Sequence, residues 1–528
     1  MLLPLLVAKE KVVRYRVTQI VSFMVNCLDS LDDEYYHLVK AGLTKRMKDK
    51  EAMVRVQAAL GLGRLAGNEG GEEDEDDISD EEEAAGLLEK LIDSLQNDPS
   101  ADVRRSLLLN LPLTPKTIPY LLERARDLDP ATRRALYSRL LPALGDFRHL
   151  SLSMREKLLR WGLRDRDEHV RKATARLFRE RWIEDCAGIS DAEGNRPTEV
   201  PPPSVDALLE LLERIDVVNS GIENGIALEA MKEFWDGRPD YREAVDFDDA
   251  FWDNLNSESI FLARSLNDFC QTDEQRYRSL LEEKLPEVTK LGFLLERYLN
   301  VLTEKLRISS TFAPGENEED TIEQEFIVEQ LLHIAYTLDY SDEVGRRKMF
   351  SLLRESLAIP ELPEEITKLS IEVLRLVCGK DAAGEREFCG IVLEAVAEVH
   401  DTITTDEPSF TVDEDESFHS AKSEVSTDTI IASKPEKPLL KANPEEDEEK
   451  AIKEIMVNMK CLHIAQCMLQ NVGENLQENV HLVTMLNNLV VPAVRSHEAP
   501  IRERGLLCLG LCCLLDKVCK ILYCRIKC

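Results

Sequence analysis

The chain has 528 residues, of which 43% are hydrophobic, 31% charged and 6% aromatic, and its formal net charge is −34. That length exceeds what one compact core usually holds, so several domains or one extended repeat architecture must absorb it. Bulk acidity argues against nucleic acid as a partner, but residues 1–182 carry 31 Lys+Arg against 31 Asp+Glu, and 101–182 carry 19 against 10, so one stretch is basic.

The opening MLLPLLVAKEK is too short for a secretory signal and lacks its basic n-region. A pattern then recurs: an Asp, four residues, a Val-Arg pair, and a small or apolar residue beyond. It reads Asp49 with Val54-Arg55, Asp98 with Val103-Arg104, and Asp165 with Val170-Arg171. Weaker copies are Val13-Arg14, Asp127 with Thr132-Arg133, Asp339 with Val344, and Ile501-Arg502. Motif positions 13, 54, 103, 132 and 170 are separated by 41, 49, 29 and 38 residues, scattered around the period of about 40–47 residues of HEAT and armadillo hairpins. In such a hairpin the Asp is expected to cap the second helix. The Val faces the partner helix, and the Arg reaches the neighbouring repeat's Asp to build a ladder. Each hairpin hides its apolar face by stacking on its neighbours. The fold expected is an all-α HEAT-repeat solenoid with acidic disordered insertions.

In chain order, residues 1–188 form a first block of repeats, with an acid-dense loop at 69–83 that lengthens one repeat. Pro201-Pro202-Pro203 marks a break over 189–204. Helical periodicity fills 205–400 (through 205–215, 258–310, 325–357 and 363–399), with an acidic loop near 313–320. Residues 401–447, acidic and Ser/Thr-rich, are expected to be a disordered linker. Repeats return over 448–516, followed by an atypical Cys-rich tail at 517–528.

No catalytic or metal-binding motif is found, and no cofactor is expected. Gly61, Gly63 and Gly67 do not make a G-x-G-x-x-G and are expected to serve close helix packing. The nine histidines are scattered. The 13 cysteines follow no paired framework, which fits reduced thiols in a nuclear or cytosolic setting. No window approaches the roughly 20 apolar residues of a membrane span.

The basic stretch is the more productive signal. Arg104-Arg105, Arg133-Arg134 and Arg171-Lys172 stand at the equivalent place of three consecutive repeats, so they should line one face of the stack. A ridge of cations suits phosphate-backbone binding without base readout, and Lys45, Arg46 and Lys48 would extend it. The alternative is a solvated, salt-bridged helix face, with the first Arg of each pair serving as a ladder residue. Ser79, followed by DEEE, and Thr411, followed by VDEDE, suit an acidophilic kinase; chance Ser and Thr in acidic loops explain them equally well.

The run KRMKDKEAMVRVQAALGLGRL (45–65), an acidic insertion, and LQNDPSADVRRSLLLNLPLTPKTIPYLLERARD (95–127) resemble the condensin complex subunit 3 family of HEAT-repeat proteins. RKATARLFRERWIEDC (171–186), LLELLERIDVVNS (208–220), DEVGRRKMFSLLRESL (342–357) and APIRERGLLCLGLCCL (499–514) extend the resemblance almost end to end. It implies a non-enzymatic scaffold that binds the kleisin subunit and holds duplex DNA irrespective of sequence. SMC ATPases would be indirect partners, and neither a membrane nor a small-molecule substrate is involved. The implied setting is the nucleus and mitotic chromosomes, with cytoplasmic residence outside mitosis. The family has repeats before the position of Met1 and after 515, so a central piece of a longer solenoid with apolar ends at Met1–Val7 and Leu506–Leu515 is expected. A HEAT transport or phosphatase scaffold with peptide ligands is the competing reading, and a shallower salt dependence would distinguish it.

Overall fold

The structure, a computed structural model, describes residues 2–28, 32–68, 78–188, 202–221, 225–311, 318–402 and 444–515. Among them every regular element is a helix. The chain divides into two compact units, Met1–Asp248 with Phe261–Arg278, and Asp249–Ile260 with Ser279–Cys528.

In the first unit the helices alternate between two layers. One layer holds Asp33–Arg46, Ile78–Asn97, Ile118–Leu122 and Leu152–Leu163. The other holds Lys11–Cys27, Ala52–Asn68, Ala101–Asn110, Pro130–Ala135 and Glu168–Arg176, each packed on the next. The motif explains the second layer. Val54, Val103, Thr132 and Val170 are all buried, in the first turn of their helices. Small residues let these helices approach: a Cβ on Gly63 would stand 2.6 Å from the Asn110 carbonyl oxygen, and one on Gly61 2.8 Å from Leu43 and Ser22. Both glycines therefore serve packing.

Two second-layer helices carry a π turn, Leu136–Leu140 and Leu177–Trp182, and a third π turn, Leu486–Val490, lies in the second unit. Two of the three have a proline two residues beyond, Pro142 and Pro492. Proline has no N–H to close an i→i−4 bond, and a wider turn takes up the slack. The Leu141 N–H accordingly donates to the Leu136 carbonyl and the Val491 N–H to that of Leu486.

The second unit repeats the two-layer arrangement. Val288–Thr311, Glu343–Leu357 and Ala382–Asp401 pack in sequence in one layer. Glu318–Ala335, Glu364–Val377, Pro444–Gln470 and Ala499–Leu515 pack in sequence in the other. A polar knot ties the last three of these helices. The buried Lys460 Nζ donates to the Leu362 carbonyl and to Thr367 Oγ1, both at 2.5 Å, and Arg504 grips Glu364 with bonds of 2.6 and 3.0 Å. Leu506, Leu507 and Leu514 are exposed on the last described helix, and Leu5 and Val7 on the 3-10 turn Leu3–Val7.

Several expectations change. Helix Ile78–Asn97 starts inside the acid-dense segment expected as a loop, and residues 69–77 lie outside the described residues. Likewise Pro444–Gln470 begins within the segment expected to be a linker. Residues 403–443, with Thr411, lie outside the described residues, as do 189–201 and 516–528; so does the side chain of Ser79. The motif Asp does not cap its helix. It sits earlier, and its carboxylate accepts the N–H two residues on, as Asp127 does from Asp129 at 2.9 Å. The cap is that second residue: Asp129 accepts from the Thr132 N–H at 2.8 Å, and Asp167 from His169 and Val170. The Asp339–Val344 copy departs from the pattern, since Val344 is exposed and Asp342 caps the helix. Ile501-Arg502 keeps the buried apolar residue and the Arg bond to the carbonyl six residues back, Ser496, at 3.1 Å.

Candidate nucleic-acid interface

Four rungs of an Arg–Asp ladder run along the second layer. Arg14 meets Asp49, Arg55 meets Asp98, Arg104 meets Asp127, and Arg133 meets Asp165, with closest contacts of 2.8, 2.7, 2.7 and 2.6 Å. Each guanidinium presents Nε and Nη2 to the two carboxylate oxygens; for Arg104 the bonds are 2.8 and 2.7 Å. Its Nη1 turns back to the carbonyl six residues earlier, Asp98 for Arg104 at 2.7 Å and Asp127 for Arg133 at 2.7 Å. The planar fork of Arg suits this two-pronged contact and the point charge of Lys does not.

The rungs are largely buried, with Arg side chains 8–14% exposed and Asp side chains 1–7%. Burial pushes the Asp127 carboxyl upward, but the Arg104 bond, the Asp129 N–H and the charges of Arg104 and Arg124 outweigh it, and the group titrates below the ordinary carboxylate range. Asp49 and Asp165 are held low by the same balance. The bond to its Asp raises the pKa of each rung Arg in turn.

This divides the residues singled out in the sequence. Arg104 and Arg133 are rungs, and Arg46 adds a second cation to Asp49 at 2.7 Å. Their charge is neutralised inside the stack. Arg171 holds the carbonyls of Asp165 and Arg166 at 2.7 and 3.1 Å. The second member of each pair points outward. Arg105 is 31% exposed and contacts Asp102 and Asp129, the latter at 3.1 Å. Arg134 is exposed. Lys172 is 71% exposed and pairs with Glu168 within its own helix at 2.6 Å. Lys45 and Lys48 are exposed at the end of Asp33–Arg46 and just beyond it.

The ladder also sets the register. Because each rung locks one helix to the next at the same motif position, the residues that follow the four rung arginines, Tyr15, Val56, Arg105 and Arg134, hold equivalent places, and Lys172 holds the same place after the motif arginine Arg171. The first part of this series is apolar and borders a groove lined by Tyr15, Met53, Val56, Leu60 and Arg105. Its second part is cationic. Rows of outward cations on a rigid scaffold bind polyanions through phosphate oxygens. Among the described residues no group of side chains could hold a metal ion, and no helix is long and apolar enough to cross a membrane.

The comparisons with known proteins agree in one direction. Residues 460–526 match a family model described as the C-terminal domain of nuclear condensing complex subunits. Condensin complex subunit 3 of Schizosaccharomyces pombe is 39% identical over 514 residues, spanning 96% of this chain and 53% of its own length. The chain belongs to the condensin complex subunit 3 family. The Saccharomyces cerevisiae member of the family is 31% identical over 542 residues, 96% of this chain and 49% of its own length. Among solved structures, the crystal structure of the S. pombe condensin Cnd3–Cnd2 subcomplex is similar with a TM-score of 0.74 and 36% identity, over 98% of this chain and 55% of that one. The chain thus spans about half the length of the family members it matches. The HEAT-repeat fold read from the motif is that of the family.

Proposed function

We propose that this chain is a non-catalytic scaffold of a condensin-type complex, binding a kleisin segment and duplex DNA to support mitotic chromosome condensation in the nucleus. The observation that carries the reading is the outward row Arg105, Arg134 and Lys172, held in register by buried rungs within a family member. The rungs cannot contact DNA without abandoning their carboxylates, so the DNA contacts fall to these three and to Lys45 and Lys48. ATP hydrolysis would reside in SMC partners. A kleisin partner is supported by the similarity to a structure that holds Cnd3 together with Cnd2.

The test is co-elution of the chain with a central kleisin segment on size exclusion, with a labelled duplex added at low and at high salt. The expected result is a stable pair that retains DNA only at low salt, and loses it when Arg105, Arg134 and Lys172 are replaced by Ala. DNA retention unaffected by salt or by the triple replacement would refute the phosphate row, and separate elution of chain and kleisin would refute the scaffold role.

A further inference from the structure

Beyond the residues at the motif positions, the outward side of these helices carries further cations, Arg139 and Arg176. In the helix that begins at Pro130–Ala135, the exposed positions run Arg134, then Ser138 and Arg139 side by side, then Ala143. A plain α-helix places i+4 above i, so Ser138 alone would follow Arg134. The π turn Leu136–Leu140 adds a residue to that turn, and its i→i+5 closure brings Arg139 above Arg134 as well.

The inward side of the turn holds this geometry in place. Tyr137 is buried, and its hydroxyl donates to the Leu158 carbonyl at 2.9 Å. Gly162 of the facing helix leaves room for that ring and for Thr174, since a Cβ there would stand 2.8 Å from Tyr137 and 2.2 Å from Thr174 Oγ1. With Tyr137 fixed inward, Ser138 and Arg139 both face out. The turn also packs against Ala101–Asn110 and Glu168–Arg176, the helices that carry Arg105 and Lys172.

The outward cations differ in their partners. Arg105 pairs with Asp102 and Asp129, Lys172 with Glu168, and Arg176 with Glu180. Among the described residues neither Arg134 nor Arg139 has a carboxylate within ion-pair distance. A phosphate approaching the row must compete with a carboxylate at the first three, and with water alone at Arg134 and Arg139. We propose that Arg139 is a further phosphate-contacting residue, carried onto the cation row by the π turn, and that Arg134 and Arg139 together form its strongest point. This rests on the DNA reading above and adds to it a residue that motif spacing does not mark.

The experiment measures binding of a fluorescent duplex to the full 528-residue chain by anisotropy across a salt series, with R139A, R134A, R139K and, as a control in the exposed turn between Ala101–Asn110 and Ile118–Leu122, K116A. The expected result is that R139A weakens binding several-fold at low salt and lowers the slope of log affinity against log salt by about 0.9, the share of one phosphate contact. R134A should act alike, R139K should keep the slope, and K116A should match the wild type. If R134A weakens binding while R139A matches K116A, the assignment of Arg139 is overturned and the DNA reading stands. If the unaltered chain fails to bind at low salt, the DNA reading itself falls, and the role of Arg139 with it.

Discussion

Replacing Asp127 by Ala removes the most enclosed carboxylate of the ladder, whose side chain is 1% exposed. It accepts from Arg104 at 2.8 and 2.7 Å, from the Asp129 N–H at 2.9 Å and from Arg124 at 3.4 Å. The substitution leaves a guanidinium, itself 10% exposed, without its counter-ion. Breaking a buried pair from one side costs about 3–5 kcal/mol. Because Arg104 keeps its bond to the Asp98 carbonyl, the low end, about 3 kcal/mol, is expected. With a urea m-value of about 1–3 kcal/mol/M, the first unit's transition, followed by far-UV circular dichroism, should move down by about 1–3 M. The double replacement Arg104→Met with Asp127→Leu should recover much of the loss, since it also removes the cost of desolvating both charges. The pH dependence has a definite sign. Asp127 titrates lower in the folded chain than in the unfolded one, so its contribution is complete above the unfolded value of about 3.9 and fades as pH falls through the folded value. Wild type and D127A should therefore converge in strong acid. A midpoint shift under about 0.3 M for D127A, or a double variant as unstable as the single one, would refute a load-carrying ladder.

Two other outcomes follow from packing and burial. Gly162→Ala should destabilise by about 1–3 kcal/mol through overpacking against Thr174 and Tyr137, read as a fall in Tm; an unchanged Tm would show that those side chains yield freely. In the second unit, burial pushes Lys460 down to about 8, below its unfolded value of about 10.4. Between those values the unfolded chain binds the extra proton, so wild-type stability relative to Lys460→Met should rise as pH climbs from about 8 to about 10; a flat difference in urea midpoint would contradict the burial.

The helical repeat was legible because its cause is local. An Asp, a Val and an Arg at fixed spacing place one group in a turn, one on the inner face and one in reach of the next hairpin, and four rungs follow that reading. The expected Asp cap was not legible, because two carboxylates stand two residues apart at Asp127/Asp129 and at Asp165/Asp167. Only the arrival of Arg104 or Arg133 from a neighbouring helix decides which of them is the rung and which is left to cap.

By itself the sequence determined the fold class, the family resemblance and the basic stretch, all of which depend on residue type and spacing along one chain. The tertiary structure alone decided which cations face outward. Arg104 and Arg105 are adjacent and chemically identical, yet a carboxylate 23 residues away withdraws the first into the stack while the second stays 31% exposed. Arg139 reaches the same face only because the helix widens before Pro142 and Tyr137 is pinned inward. Side-chain direction after such a turn depends on what packs behind it, and that partner helix is not adjacent in sequence.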